Sequence, residues 1–266
     1  MIHTGTVGPV RVAVMQTTPT ADVDHNLQRL ADALEIAARQ EADVLVTPEM
    51  FLSGYNIGAD AVRAAARPID GEHIERIAEL TDRAGVAAVV GVPELADGDV
   101  FNTAALVSST GELLTSYRKT HLYGDLDRSQ FSAGDALGEV VDLAGLRVAL
   151  AICFDIEFPE VARTLTARGA DAILVPTANW LDTVNTRLVP TRGEENGTYI
   201  VYANYWGPER DKRYCGQSCV VDPWGDDVLR MGEGERILVG EMTASAATKA
   251  RSQIDYLPQR RPELYD

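Results

Sequence analysis

A cysteine, a glutamate and a lysine, far apart in the chain, each come at the end of a segment that reads as a strand. Cys153 closes Leu150-Ala151-Ile152 and precedes Phe154-Asp155-Ile156-Glu157-Phe158-Pro159-Glu160. Arg147 to Ile152 reads as a buried strand, and Pro159 suits the first turn of a helix that carries Val161 and Leu165 on one face. The thiol is therefore expected on a sharp strand-to-helix connection. Backbone N–H groups converge there, and a helix start favours a thiolate, which is the nucleophilic form of sulfur. Glu49 comes after Val44-Leu45-Val46-Thr47-Pro48, where desolvation should raise a carboxylate's pKa into a range useful for proton transfer. Lys119 ends Tyr117-Arg118-Lys119 and is one of only three lysines in a chain with 24 basic residues, so a compact point charge is expected there. Taken singly, each has a plain structural reading: a small buried hydrophobe, a solvated loop acid, a surface cation. Together they sit at the carboxyl ends of three strands, where ligands gather in α/β proteins.

The elements that would position them alternate along the chain. A strand at Val10 to Met15 leads to a helix from about Asp24 to Arg39, lined on one face by Leu27, Leu30, Ala31, Leu34 and Ala37. Val44 to Val46 is a short buried strand, Glu72 to Ala84 a helix, and Val86 to Val92 a strand. Thr103 to Val107, Leu113 to Tyr117, Val140 to Leu143 and Leu146 to Ile152 read as strands joined by turns at Gly111 and Gly145. Beyond the helix at Pro159 to Arg168 come a strand at Ala172 to Val175 and a helix at Thr186 to Asn196. Strands follow at Tyr199 to Ala203, Gly216 to Val221 and Ile237 to Glu241, with a terminal helix from Ala244. Glu209 to Arg213 reads as a charged loop. This mixture predicts two mixed sheets packed face to face with helices outside, a four-layer αββα sandwich in one domain over residues 1–266.

Composition bounds the function. The 266 residues carry 24 basic against 40 acidic side chains, net −16, which excludes nucleic acid and anionic membranes as natural partners. No stretch reads as a membrane span, Met1-Ile2-His3-Thr4-Gly5 lacks a signal pattern, and a cytoplasmic location is the expectation. Three cysteines, Cys153, Cys215 and Cys219, make no paired framework and have no histidine at zinc spacing; neither metal nor cofactor is expected. Gly232-Glu233-Gly234 lies between late strands and opens no helix, so it is not a dinucleotide loop.

Several segments together resemble the carbon–nitrogen hydrolase family, or nitrilase superfamily: Pro48-Glu49 with Gly54-Tyr55, Arg118-Lys119-Thr120-His121-Leu122, and Cys153-Phe154-Asp155 with Phe158-Pro159-Glu160. Pro176-Thr177-Ala178-Asn179-Trp180, Arg192 to Asn204, and Arg260-Arg261-Pro262-Glu263-Leu264-Tyr265 continue the likeness in the family's order. The resemblance implies an αββα fold and a Glu49–Lys119–Cys153 triad. Glu49 would carry protons, Cys153 would form a thioester, and Lys119 with the Phe154 N–H would hold the oxyanion. Asp127 falls where many relatives have a second glutamate, one methylene longer. Tyr55, Tyr123, Asn179 and Trp180 are expected around substrate, with Phe51 and Trp206 as further aromatic lining. Cys-Phe-Asp looks like amidases and carbamoylases more than nitrilases, and Asp155 to Glu160 resembles bacterial stereoselective amidases. Glu157 stands where relatives acting on acidic substrates have arginine, which leaves Arg128, Arg187 and Arg192 as cations for such a substrate. The expectation is an amidase for small neutral aliphatic amides, with water as co-substrate. A carbamoylase or ω-amidase is the alternative, a nitrilase a weaker one, and a non-catalytic binding protein the alternative of another class. A homodimer is also implied, with the tail from about 250 to 266 at its interface.

Overall fold

Most strands carry little charge because both of their faces are covered. In β1 (Val10–Gln16), Val12 and Val14 join one apolar cluster while Ala13 and Met15 join another, and all four are buried. The computed structural model describes residues 8–253 and 256–265. The signal-pattern reading at residues 1–5 and tail positions 254, 255 and 266 lie outside the described residues.

After β1 the chain forms α1 (Val23–Arg39), β2 (Val44–Val46), α2 (Ala59–Ala65), α3 (Glu72–Ala84), β3 (Ala87–Ala96), β4 (Asp99–Val107), β5 (Leu113–Arg118) and the short α4 (Gly124–Arg128). It continues with β6 (Val141–Leu143), β7 (Leu146–Leu150), α5 (Pro159–Ala167), β8 (Ala172–Thr177), α6 (Val189–Asn196) and β9 (Tyr199–Asn204). Last come β10 (Trp206–Glu209), β11 (Lys212–Cys215), β12 (Cys219–Val221), β13 (Asp227–Arg230), β14 (Arg236–Met242), α7 (Ala244–Gln253) and α8 (Tyr256–Gln259). One sheet has the order β14-β1-β2-β3-β4-β5 and the other β13-β12-β9-β8-β7-β6; β1-β2-β3 and β7-β8-β9 pair in parallel and the remaining neighbours antiparallel.

The inner core lies between the sheets, with Val12, Val46, Val89 and Leu106 from one facing Val148, Leu150, Leu174 and Val201 from the other. Leu27, Leu30 and Leu34 of α1 with Ile74 and Ile77 of α3 cover the first sheet, and Val161, Leu165 and Val189 cover the second. Each such side chain contributes about 1.5–3 kcal/mol on full burial, which is why the interior is a nearly unbroken run of Val, Leu and Ile. The αββα sandwich is the architecture observed. Asp22 caps α1 by accepting the His25 N–H at 3.0 Å, and Pro159 opens α5 as its missing N–H permits.

Differences from expectation have local causes. The β7 ladder stops at Leu150, before Ile152, because the Ile152 N–H turns to the Asp155 carboxylate at 3.0 Å. A 3₁₀ turn, Cys153–Glu157, then separates strand from helix. The helix expected from Thr186 is a π turn at Val184–Leu188 followed by α6, and Pro190 supplies no N–H to continue one ladder through the join. The strand expected at Gly216–Val221 begins only at Cys219. The supposed charged loop at Glu209–Arg213 is the tip of the β10–β11 hairpin, closed by Arg210 in the left-handed region (φ +51°).

Candidate active site

Glu49 and Lys119 follow β2 and β5 of one sheet and touch directly, while Cys153 follows β7 of the opposed sheet. The Glu49 loop lies flat on β3. At Gly91 a Cβ would come within 2.3 Å of the Met50 amide nitrogen, so only glycine lets the loop settle there. Met50 itself is left-handed (φ +50°), and the Glu49 N–H donates to the Thr177 carbonyl at 3.3 Å, tying the loop to the end of β8. Lys119 is fixed by its backbone: its N–H donates to the Asn102 carbonyl at 2.9 Å and its carbonyl accepts from the Gly134 N–H at 2.8 Å.

The side chains form a closed ionic chain. Lys119 Nζ donates to Glu49 Oε1 and to Asp127 Oδ2, both at 2.7 Å, with all three residues fully buried. Asn102 Nδ2 also donates to Glu49 Oε1 at 2.7 Å, while Oε2 has no partner among the described residues. Asp127 accepts the Tyr55 hydroxyl at 2.5 Å on Oδ1 and the Tyr123 N–H at 2.8 Å on Oδ2. Burial pushes the Glu49 carboxyl above its ordinary value and Asp127 adds to this, against the opposing pull of Lys119. Burial alone would lower Lys119, but the carboxylates of Glu49 and Asp127 outweigh it and hold the ammonium well above the ordinary lysine range. A buried ammonium between two carboxylates stays charged.

Cys153 opens the 3₁₀ turn in a left-handed conformation (φ +46°) that L-residues rarely adopt, and its side chain is almost wholly buried. Burial here works against the thiolate that a helix start favours. Burial pushes the thiol well up, the Glu49 charge adds to it, and the attraction of Lys119 with the Ala178 N–H offsets only part. These surroundings favour the protonated sulfur, and Glu49 Oε2 is a buried carboxylate oxygen without a partner among the described residues.

Asp155 locks the turn. Its carboxylate accepts from the Ile152 N–H at 3.0 Å, the Tyr117 hydroxyl at 2.8 Å and the His121 N–H at 2.9 Å, joining the cysteine turn to the segment after Lys119. Arg192, read above as a cation for substrate, is buried and donates to the Ile156 and Glu157 carbonyls at 3.0 and 2.6 Å, so it serves the same turn. Arg128 and Arg187 are exposed. Phe154, Tyr123 and Trp180 form an edge-to-face row with centroids 5.2 and 5.3 Å apart, and Lys212 Nζ lies 5.1 Å from the Trp180 ring centroid. Asn179 spends its amide on the Leu181 carbonyl and Asn185 Oδ1, both at 2.8 Å. Phe51 belongs to the core under α1 and α3, away from this row, and Trp206 packs beneath Arg213 on the hairpin.

Asn102 and Asp155 were not singled out for these contacts. Asn102 is one polar residue inside the apolar strand β4, a weak signal of a buried partner. Asp155 differs little from the carboxylates around it in sequence.

A model of the carbon–nitrogen hydrolase family matches residues 11–252. A Pseudomonas protegens protein described as a hydrolase in the pqqF 5′ region is 46% identical over 98% of this chain and 92% of its own length. An (R)-stereoselective amidase of a Pseudomonas species is 35% identical over 90% of this chain and 87% of its own. Among solved structures, an amidase from Nesterenkonia sp. AN1 in complex with butyramide is 34% identical, covers 98% of this chain and 97% of that one, and superposes with a TM-score of 0.84. The same amidase has also been solved as a double mutant in complex with acrylamide.

Proposed function

The chain belongs to the carbon–nitrogen hydrolase family, and from that premise we propose that it is an amidase converting small, neutral aliphatic carboxamides and water into carboxylic acids and ammonia. The observation that carries the reading is the buried chain Asn102–Glu49–Lys119–Asp127, in which one oxygen of Glu49 is tied and the other is free. Glu49 Oε2 takes the thiol proton as Cys153 sulfur bonds to the amide carbon, and the carbonyl oxygen becomes an oxyanion held by Lys119 Nζ and the Phe154 N–H. One such donor is worth about 2.7–4 kcal/mol, roughly 10²–10³ in rate. When the C–N bond breaks, Glu49 returns the proton to nitrogen and ammonia leaves a thioester on Cys153. Glu49 then takes a proton from water, whose oxygen bonds to the acyl carbon, and passes it to the departing sulfur. Asp127 keeps Lys119 in place.

Small size and neutrality of the substrate find support in the aromatic row over the site, in Glu157 and in the relatives. Glu157 ends the cysteine turn half-buried, its carboxyl pushed up by burial, and Arg192 beside it is engaged with the Ile156 and Glu157 carbonyls. Butyramide and acrylamide, seen bound to the Nesterenkonia amidase, are amides of this kind.

The test is ammonia release from propionamide and butyramide by the chain and by Cys153→Ala. Turnover by the first, and at least a ~10³-fold loss in the second, are expected. No turnover of neutral amides, with activity on nitriles, carbamoyl amino acids or acidic amides, would overturn the reading.

A further inference from the structure

The β10–β11 hairpin pairs with neither main sheet, yet its turn buries a carboxylate. Glu209 is 9% exposed and makes no ion pair with a cation among the described residues. It accepts the Tyr55 N–H on Oε1 at 3.0 Å, the Asn56 N–H on Oε2 at 2.7 Å, and the Tyr214 hydroxyl. Burial raises its pKa, and those three donors partly offset the rise. An uncompensated acid is a costly way to hold a loop, and a hydroxyl or amide oxygen could satisfy one N–H. Two N–H groups on consecutive residues, however, form a fork that only a carboxylate matches with both oxygens. The close approach needs Gly54, left-handed at φ +81°, where a Cβ would meet Glu209 Oε1 at 2.8 Å.

The residue so gripped is Tyr55, and its hydroxyl is the donor to Asp127 Oδ1 at 2.5 Å. Asp127 Oδ2 is in turn one of the two carboxylate oxygens on Lys119. We propose that Glu209 is a positioning residue: by clamping the backbone at Tyr55 and Asn56 it aims the Tyr55 hydroxyl at Asp127, and through Asp127 places the Lys119 ammonium at the forming oxyanion. The same grip fixes Tyr214, whose ring stands 6.3 Å from Trp180, so one carboxylate supports both the ionic chain and the aromatic row. The proposal rests on the amidase reading for its kinetic consequence, while the contacts themselves do not depend on it.

A double-mutant cycle separates this from a purely structural role. Glu209→Gln keeps one acceptor and Glu209→Ala none; kcat is expected to fall about 10–100-fold in the first and further in the second, with KM changing less than about threefold. Tyr55→Phe should lower kcat similarly, and the double mutant Tyr55→Phe/Glu209→Gln should lose little more than the larger single loss. Multiplicative losses, or a Glu209→Gln enzyme with kcat within twofold of the parent, overturn the proposal. Tyr214→Phe serves in the cycle if the Glu209 variants do not fold. Its lost hydroxyl loosens the Glu209 carboxylate at Oε2, so kcat should fall with KM changing less than about threefold, and an unchanged kcat counts against the clamp. The cycle is also read on the rate of Cys153 alkylation by iodoacetamide. A chain that turns over no amide thus defeats the amidase reading alone, while additive effects on alkylation defeat this one.

Discussion

Glu49 and Cys153 restrain one another. The carboxylate raises the thiol pKa, and Lys119 pulls it down. Burial remains the larger cause of the raised thiol pKa, but replacing Glu49 by Gln removes the stronger of the two carboxylate charges that add to it, and Lys119 still pulls it down. The midpoint of Cys153 alkylation against pH is therefore expected to fall in Glu49→Gln, even as amide turnover drops by about 10²–10⁴ for want of a base. A midpoint that rises or stays fixed would show that the charges are not coupled as described. In the parent enzyme the acid limb of kcat/KM should lie above the ordinary carboxylate value of 4.5, because the base must be ionised and burial makes it bind its proton more tightly. At this scale the sequence was informative about types and poor about states. Aliphatic runs announced that Glu49 and Cys153 follow buried strands, and the strand reading at Leu113 to Tyr117 placed Lys119 just past a third. They did not announce that burial would raise the thiol pKa, since desolvation depends on neighbours up to about a hundred residues away. Glu209 was hidden for the same reason: its partners at Tyr55 and Asn56 are more than 150 positions distant.

Strands and helices with strong period-two or period-3.6 patterns were legible, because each face of the sandwich demands an apolar stripe. Those that rest on tertiary contacts were not. The β10–β11 hairpin contains Pro208 and turns through Arg210, with no Asn-Gly or Gly-Gly signal, and α2 is only seven residues long. The start of β4 at Asp99 was missed because Asp99 and Asn102 break the apolar run on either side of Val100 and Phe101, where the strand pairs with the end of β3. The contact between β3 and the Glu49 loop gives the prediction proper to this scale. Gly91→Ala puts a methyl against backbone with no flexible side chain to yield, so the loop must lift. A loss of about 1–3 kcal/mol in stability by denaturant melting is expected, together with a fall in kcat in the folded fraction. Stability unchanged within ~0.5 kcal/mol would mean that the loop has room the geometry does not show.

For the molecule as a whole, the tail carries an open question of assembly. Tyr256, Leu264 and Tyr265 are 56, 62 and 58% exposed, and Tyr256 and Tyr265 border a groove with Glu195 of α6 and with Pro159 and Arg163 of α5, the helix that directly follows the cysteine turn. These residues fit the homodimer expected for the family. In sedimentation the chain is expected to run as a dimer, and Leu264→Ala/Tyr265→Ala to shift it towards monomer. Two copies each bearing −16 repel, so dissociation should increase as salt falls below the ~0.15 M at which the Debye length is about 8 Å. A parent chain that is monomeric at every salt concentration would remove the tail from any such role. The layered architecture itself was readable from uncharged strands and mixed βαβ rhythm; which surface meets another copy is a matter of exposed patches that no periodicity marks.

One feature of the ionic chain has a consequence in time. Glu49 Oε1 is occupied by Lys119 and Asn102, so a proton has a single seat, on Oε2. Under the proposed roles, thiol, departing nitrogen and incoming water must visit that seat in turn, and ammonia must vacate the site before water can be activated. The acyl group therefore waits on sulfur for whichever nucleophile arrives next. With hydroxylamine present in excess, part of the flux should leave as hydroxamate instead of acid, making a hydrolase into a transferase by competition for one oxygen atom.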